Sequence, residues 1–442
     1  MQNKLNVKRT ILVGFAFFLI SAFWQSYDKI VPIILTYRFD MPQWLSGIIM
    51  SLDNVFAVFM LPIFGALSDK VSTRFGRRTP FILVGTVAAV VFYIFLSFAP
   101  SLALFIILLL FTLIAMATFR SPAVALMPDV TEKSLRSKGN AIINLMGTAG
   151  GIAVLGVGLF VKVGESHAKN YPIYIGLVCA IMIAALVVFL LTVKECAWAK
   201  EADARNRALA PNGNEAANVA EGEKHKLSKP EFISLCLILA SVALWFTGYN
   251  AVTSKFSVYV EEVFSFRNAA GEIIGDPKVS YDAALMVAQI AAIIAYIPVG
   301  LVSSRFGRKK TILAGIILLS AAFGFAALIN MNTPPLPMYM LFALAGIGWA
   351  TINVNSFPMV VELATGSDVG KYTGYYYTAS MSAQIVTPIL SGALVGWVGW
   401  DIFFPYAAIF TTLSFVTMLF VKHGDVKPAQ KASLLEHLDT DD

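Results

Sequence analysis

Twelve apolar stretches of about twenty residues run along the chain, at roughly 11–35, 44–68, 80–100, 102–126, 139–161, 172–194, 231–260, 281–302, 311–330, 336–360, 371–396 and 401–421. At 1.5 Å rise per residue, each is long enough to cross a hydrocarbon core of about 30 Å as a helix. Composition agrees, since 57% of the 442 residues are hydrophobic and 14% are charged, where a soluble chain carries roughly 25% charged residues. The expected fold class is an all-α membrane protein with twelve transmembrane helices.

These spans fall into two sets of six, and the second set echoes the first. Gly65-Ala-Leu-Ser-Asp69-Lys-Val-Ser-Thr-Arg74-Phe-Gly76-Arg77-Arg78 follows the second span, and a shorter Gly300-Leu-Val-Ser-Ser-Arg305-Phe-Gly307-Arg308 follows the eighth. Trp24-Gln25-Ser-Tyr27-Asp28 in span one is matched by Trp245-Phe-Thr-Gly-Tyr249-Asn250 in span seven. Ala117-Thr118 and Pro128-Asp129 run parallel to Ala350-Thr351 and Val361-Glu362 at a constant offset. The expectation is two pseudo-symmetric six-helix bundles, 1–194 and 231–423, joined by a flexible polar linker at 195–230 and followed by a tail at 424–442; a short amphipathic helix over 197–210, lying on the membrane, is the alternative reading of the linker's first part. Repeated bundles of this kind are how many secondary transporters are built, with the solute site near the membrane midplane.

Positive charge sets the expected orientation. If both termini are cytoplasmic, 25 of the 33 Lys and Arg residues lie on that side, five lie opposite and three fall inside spans. The expected location is a bacterial-type inner membrane, multi-pass, with both ends cytoplasmic. The net charge of +6 is then inner-loop charge and calls for no nucleic acid. Met1–Arg9 could open a signal peptide, but the apolar run behind it is too long and has no small-residue cleavage site, so it reads as a retained helix. Cys179, Cys196 and Cys236 form no motif, so no metal site, cofactor or disulfide framework is expected. His167, His225, His423 and His437 all lie in loops or tails, which argues against a histidine proton relay within the spans.

Ionisable and amide side chains inside the apolar spans are the functional candidates, because a charge at the bilayer centre costs about 2.5–3.5 kcal/mol on insertion scales. Asp53 lies in Ser51-Leu-Asp53-Asn54, toward the outer half of span two, as a protonatable or solute-contacting acid. Trp24 and Asp28 share a helical face, and with Gln25 they suit a polyol: the ring covers C–H faces while the polar groups take hydroxyls. Span seven offers Tyr249, Asn250 and Ser254 in the matching place, and Asn54 and Asn144 are further candidate contacts. Interhelical hydrogen bonding is the alternative reading of these rows. Arg120 needs a carboxylate or a solute as partner, or else reaches the inner surface along its stem. Asp129 and Glu362, at the inner ends of spans four and ten, read as gate acids for Arg77, Arg78 or Arg308, with Asp129 also a candidate coupling acid. Asp69 and Arg74 belong to the same gating loop.

With these residues in place, the chain resembles the major facilitator superfamily over essentially its whole length. Ser72-Thr-Arg-Phe-Gly-Arg-Arg-Thr-Pro-Phe81 resembles the first inner loop of the sucrose/proton symporters, and Arg120…Ala125-Leu-Met-Pro-Asp129 followed by Asn140-Ala141 is similar to that family's fourth-helix segment. The resemblance implies proton coupling through Asp129 and Arg120, which raises those two above Asp53. The melibiose-type symporters resemble the chain at Pro62-Ile-Phe-Gly65, but place acids where this sequence has Leu61 and Arg120, so their cation site does not carry over.

The reading is a proton-coupled symporter importing a neutral sugar, of sucrose or maltose type, by alternating access, acting as a monomer in the bilayer. Two alternatives stand beside it: a proton-driven exporter of another small solute, and a non-transporting membrane sensor. No nucleophile with a histidine base lies in the spans, so the chain is not expected to be an enzyme.

Overall fold

The computed structural model of the chain describes residues 5–132, 135–209, 228–363 and 369–424. The parts of the expected linker and tail at 210–227 and 425–442, with His225 and His437, lie outside the described residues.

Helix α1 covers Val7–Tyr37, α2 Gln43–Lys70, α3 Thr79–Ser97, α4 Leu102–Val130, α5 Arg136–Phe160 and α6 Tyr171–Thr192. A shorter α7, Glu195–Leu209, follows. The second series is α8 Lys229–Phe264, α9 Tyr281–Phe306, α10 Arg308–Ala326, α11 Pro335–Val361, α12 Val369–Val398 and α13 Phe403–Leu419. Twelve of these are long and apolar enough to cross a membrane, in agreement with the sequence. Start signals are local. Asn6 accepts a hydrogen bond from the Arg9 backbone at the head of α1, and Ser228 with Glu231 forms a capping box at the head of α8. Prolines sit inside α1, α2, α4, α9, α11 and α12, as membrane helices tolerate when neighbours re-satisfy the freed carbonyls.

The chain divides into two compact units, Met1–Asp40 with Leu52–Pro211, and Met41–Ser51 with Asn212–Asp442. In the first unit α1 packs along α5 and α3 along α4. Gly150 presses on the Phe18 carbonyl, where no side chain fits, the small-residue contact that holds membrane helices together. In the second unit α10 along α11 repeats the α3–α4 pair, whereas α8 packs along both α12 and α13 and α9 packs along α11, where Gly346 meets the Ala288 carbonyl as closely.

Two boundaries differ from the sequence expectation. Residues 195–209 form a helix grouped with the first unit, not a tether, because its charged side chains find partners on that unit. Arg9 donates to Glu201 at 2.7 Å, Arg205 donates to Glu132 at 2.7 Å, and the Arg9 guanidinium lies 5.3 Å over the Trp198 ring. The first turns of α2 group with the second unit. There Lys255 Nζ donates to the Gln43 carbonyl oxygen at 3.0 Å, and Gly392 leaves room for the Gln43 carbonyl.

Candidate functional site

In the first unit, Trp24 of α1, Asp53, Phe56, Ala57 and Leu61 of α2, and Leu113, Ala117 and Arg120 of α4 line one narrow cavity. Its open space is about 10 Å³, the size that admits a water and no sugar. The Arg120 guanidinium lies 5.6 Å over the Trp24 ring. Asn54 donates to the Asp53 carboxylate through its backbone N–H at 2.6 Å and its side-chain amide at 2.7 Å. Asp53 thus meets a cation across an apolar cavity, an arrangement in which each charge relieves the cost of the other. Asp28, one turn along the same face from Trp24, lies within electrostatic reach of Asp53.

The Trp24 indole N–H is buried with no hydrogen-bond partner. A buried donor left unpaired costs about 1–3 kcal/mol, so the indole N–H is a place for a ligand atom or water. Beneath it, Phe23, Tyr27 and Tyr93 pack ring on ring, and Ser26 and Tyr93 share a hydrogen bond of 2.9 Å. Lys29 points the other way, with its ammonium 4.8 Å over the Tyr174 ring.

The matching row of the second unit lies on α8. Trp245 stacks on Phe246, and its indole N–H is also buried without a partner. Tyr249 stacks on Trp349 of α11 with centroids 6.0 Å apart, and Tyr296 of α9 meets the same indole edge-on at 6.4 Å. Next to this trio, the Asn250 side-chain N–H₂ is buried and unpartnered. Ser254 donates to the Ala251 carbonyl within its own helix, so its oxygen keeps acceptor capacity. Gln25 and Asn144 are both engaged by other groups. Trp349, Tyr296 and Lys255 are additions that the sequence reading missed. Trp349 lies in a run, Ala343–Ala350, whose neighbours are almost all small or apolar, and nothing local marks it out.

Asp129 and Arg120 stand on one helix, but the structure engages them differently. Asp129 accepts from Arg77 Nη2 at 2.6 Å and from Arg78 Nε at 2.8 Å. Arg78 also donates to Asp69 at 2.5 Å and to Ser68 Oγ, and is 4% exposed, so its guanidinium is held from three sides. Burial works to lower the Arg77 pKa, but the hydrogen bond and charge of Asp129 outweigh it and raise the pKa. Arg74 stays outside this cluster, its guanidinium 4.7 Å over Phe75. The second unit holds the corresponding pair, Arg308 donating to Glu362. Gly76 and Gly307 turn the chain at φ +122° and +93°, a left-handed conformation that a side chain would strain. The duplicated acids therefore meet the duplicated loop arginines within each unit. Among the described residues, no group of His, Cys, Asp and Glu side chains is arranged to hold a metal ion.

The profile of the family described as MFS/sugar transport protein matches residues 13–398. Among solved structures, the nucleoside transporter NupG superposes with a TM-score of 0.70 at 14% identity, over 93% of this chain and 100% of the other. The xylose transporter XylE from E. coli, in an inward open conformation, superposes with a TM-score of 0.65 at 12% identity, over 97% and 98%. A POT peptide transporter in complex with alafosfalin gives 0.68 at 13% identity, over 94% and 93%. At these identities the likeness is one of fold. A bacillibactin exporter from Bacillus subtilis (strain 168) is 33% identical over 118 residues, 26% of this chain. The chain matches 29% of that exporter's length.

Proposed function

The chain belongs to the MFS/sugar transport protein family, a multi-pass membrane transporter by fold, and on that premise we propose that it is a proton-coupled symporter importing a neutral sugar, of sucrose or maltose type, by alternating access. The observation that carries the reading is the water-sized cavity in which Asp53 faces Arg120 beside Trp24. A cavity of that size takes a proton or a water inside it, and the solute would meet Trp24 from outside it. With Asp53 ionised, Arg120 has its counter-charge. A proton taken from the outer aqueous side onto an Asp53 carboxylate oxygen cancels that charge and leaves the guanidinium without its counter-charge, so the unit has two electrostatic states to alternate between. The same oxygen releases the proton to the cytoplasmic side. Asp28, as a second nearby acid, stores or relays that proton. The coupling pair is thus Arg120 with Asp53, and Asp129 serves the gate.

The solute contacts proposed are Trp24 and Asp28 in the first unit and Tyr249, Asn250 and Trp349 in the second. Their common chemistry is flat aromatic surface beside unpartnered N–H donors, which suits the C–H faces and hydroxyl oxygens of a pyranose. Arg77 and Arg78 with Asp129 and Asp69, and Arg308 with Glu362, act as latches at the end of each unit that the positive-charge bias places in the cytoplasm.

Uptake of labelled sucrose and maltose into proteoliposomes in sodium-free buffer tests the reading. Accumulation driven by an imposed pH gradient and abolished by a protonophore supports it, and gradient-independent equilibration removes the proton. A second reading, proton-driven export of another small solute, is favoured by the partial match to the bacillibactin exporter. It predicts no sugar uptake in the same vesicles.

A further inference from the structure

Glu195 opens α7 and is 2% exposed. Its Oε1 accepts from the backbone N–H groups of Arg77 at 2.7 Å and Arg78 at 2.9 Å, and its Oε2 from the Thr79 N–H at 2.8 Å and the Thr79 hydroxyl at 2.7 Å. These three successive N–H groups are the head of α3, where Arg78 occupies the cap position and makes no side-chain cap hydrogen bond. A helix start presents unsatisfied N–H groups and a positive dipole end. Here a carboxylate more than a hundred residues away in sequence fills that need. The Gly76 position lies directly against the Glu195 carboxylate, where a Cβ would collide with it.

Two of the three residues whose N–H groups Glu195 holds, Arg77 and Arg78, are the two whose guanidinium groups meet Asp129. With their backbone fixed on one side, Arg77 and Arg78 reach Asp129 on the other. The second unit makes an equivalent tie with the charges exchanged. There Lys309, next to the latch residue Arg308, donates to the carbonyl oxygens of Leu419 at 2.9 Å and Val421 at 2.6 Å, where α13 ends. In both units the start of the third helix is bound to the chain leaving the sixth. The sequences at the two ties are unrelated, so the connection recurs where the residues that make it do not.

We propose that Glu195 is a positioning residue of the transport gate: its carboxylate sets the backbone of residues 77–79 so that Arg77 and Arg78 engage Asp129, and this makes α7 a working part of the first unit. The proposal rests on the gate reading of the Arg77–Arg78–Asp129 cluster, but its test needs no substrate. Cys196 supplies the probe, because its thiol lies against the Thr73 and Arg74 carbonyl oxygens, at 3.5 and 3.6 Å, in the same loop.

The measurement is the rate of maleimide labelling of Cys196 in the purified full-length chain carrying C179S and C236S. It is made for the parent, E195Q, E195D, D129N and the E195Q/D129N pair. Glutamine places an N–H₂ against donors that need an acceptor. Charge-assisted hydrogen bonds of this kind are worth enough that losing one or two opens the loop at least about tenfold more often. E195Q is therefore expected to label about tenfold faster, and E195D, which restores a carboxylate, more slowly than E195Q. D129N, which removes no hydrogen bond that Glu195 or Cys196 makes, is expected to speed labelling as well. The double variant should label no faster than E195Q, since one linked unit has already opened. Should E195Q not fold, T79V, which removes the hydroxyl donor alone, replaces it in the same comparison. Labelling of D129N at the parent rate, effects that multiply in the double variant, or E195D labelling as fast as E195Q would overturn the proposal. A failed sugar uptake with the coupled labelling pattern intact would leave Glu195 in place and remove the substrate instead.

Discussion

The Arg120 guanidinium lies 5.6 Å over the Trp24 ring, and both side chains line the cavity that Asp53 enters from α2. A cation above an indole face is attracted by the ring's negative quadrupole, so Trp24 holds Arg120 without neutralising it. That leaves the charge balance of the cavity to the carboxylates. A single proton on Asp53 changes the net charge around Arg120.

Substituting Asp53 is therefore expected to separate coupling from movement. In proteoliposomes D53N should lose pH-driven accumulation yet retain exchange of labelled for unlabelled sugar across the membrane. D129N is expected to slow both processes together, because it disables a latch and leaves the coupling pair intact. Accumulation by D53N at the wild-type level, or loss of accumulation with normal exchange in D129N, would reverse these assignments.

The aromatic row of the second unit should govern affinity. Trp349 carries the stacked contact of Tyr249 and the edge-on contact of Tyr296, and Asn250 offers the adjacent donor. W349A and N250A each remove roughly 1 kcal/mol of contact, from aromatic stacking or from one hydrogen bond. Each should raise the apparent KM for sugar about fivefold with little change in turnover. W349F should do less than W349A. Unchanged KM in both would move the solute site elsewhere.

Thermal stability distinguishes the acids of the latch. Removing the Asp129 charge leaves Arg78, 4% exposed, short of its innermost counter-ion, and breaking such a buried pair costs about 3 kcal/mol. Asp69 has a side chain 57% exposed, and an ion pair that open to water is worth less than about 1 kcal/mol. D129N should accordingly lower the melting temperature well below that of D69N, as read by a thermal-shift assay in detergent.

How much of this was legible beforehand depends on the range of each interaction. The twelve spans were readable because a twenty-residue apolar run is a local pattern, and the duplicated loop was readable because Gly76 and Gly307 stand in matching motifs. The pairing of Asp129 with Arg77 and Arg78 followed from the repeat together with charge. The capping of α3 by Glu195 was not, since helix α3 begins with Thr79-Pro80 and its cap comes from a different part of the chain. Residues 195–209 looked like tether for a related reason. Their helix is polar on most sides, and what fixes it is Arg9 and Glu132, residues distant in sequence. Trp349 was missed because a lone indole among small residues has no periodic signal. Asp53 was ranked below Asp129 by resemblance, and its neighbours Arg120 and Trp24 come from α4 and α1, a meeting that only the packing creates.

Acid should loosen α7. The hydrogen bond from Arg9, helped by the charges of Arg9 and Arg205, holds the Glu201 carboxyl below the ordinary glutamate range despite a small opposing effect of burial. The Glu132 hydrogen bond and the charge of Glu201 raise Arg205 correspondingly. A carboxyl with a depressed folded-state pKa contributes stability above its unfolded value, near 4.3, and loses it as pH falls through the folded value. Hydrogen exchange of residues 198–207 should therefore be constant between about pH 8 and pH 5, after correction for intrinsic rates, and rise as the pH drops below about 4.3. E201Q should show the faster exchange at neutral pH. Protection that persists in E201Q would show that other contacts hold the helix.

The most direct test of the account compares wild type and D53N in proteoliposomes loaded in sodium-free buffer, with labelled sucrose or maltose outside and an inward proton gradient imposed. The account predicts protonophore-sensitive accumulation above equilibrium by the wild type and none by D53N, with exchange preserved in both. Accumulation by D53N equal to wild type would contradict it.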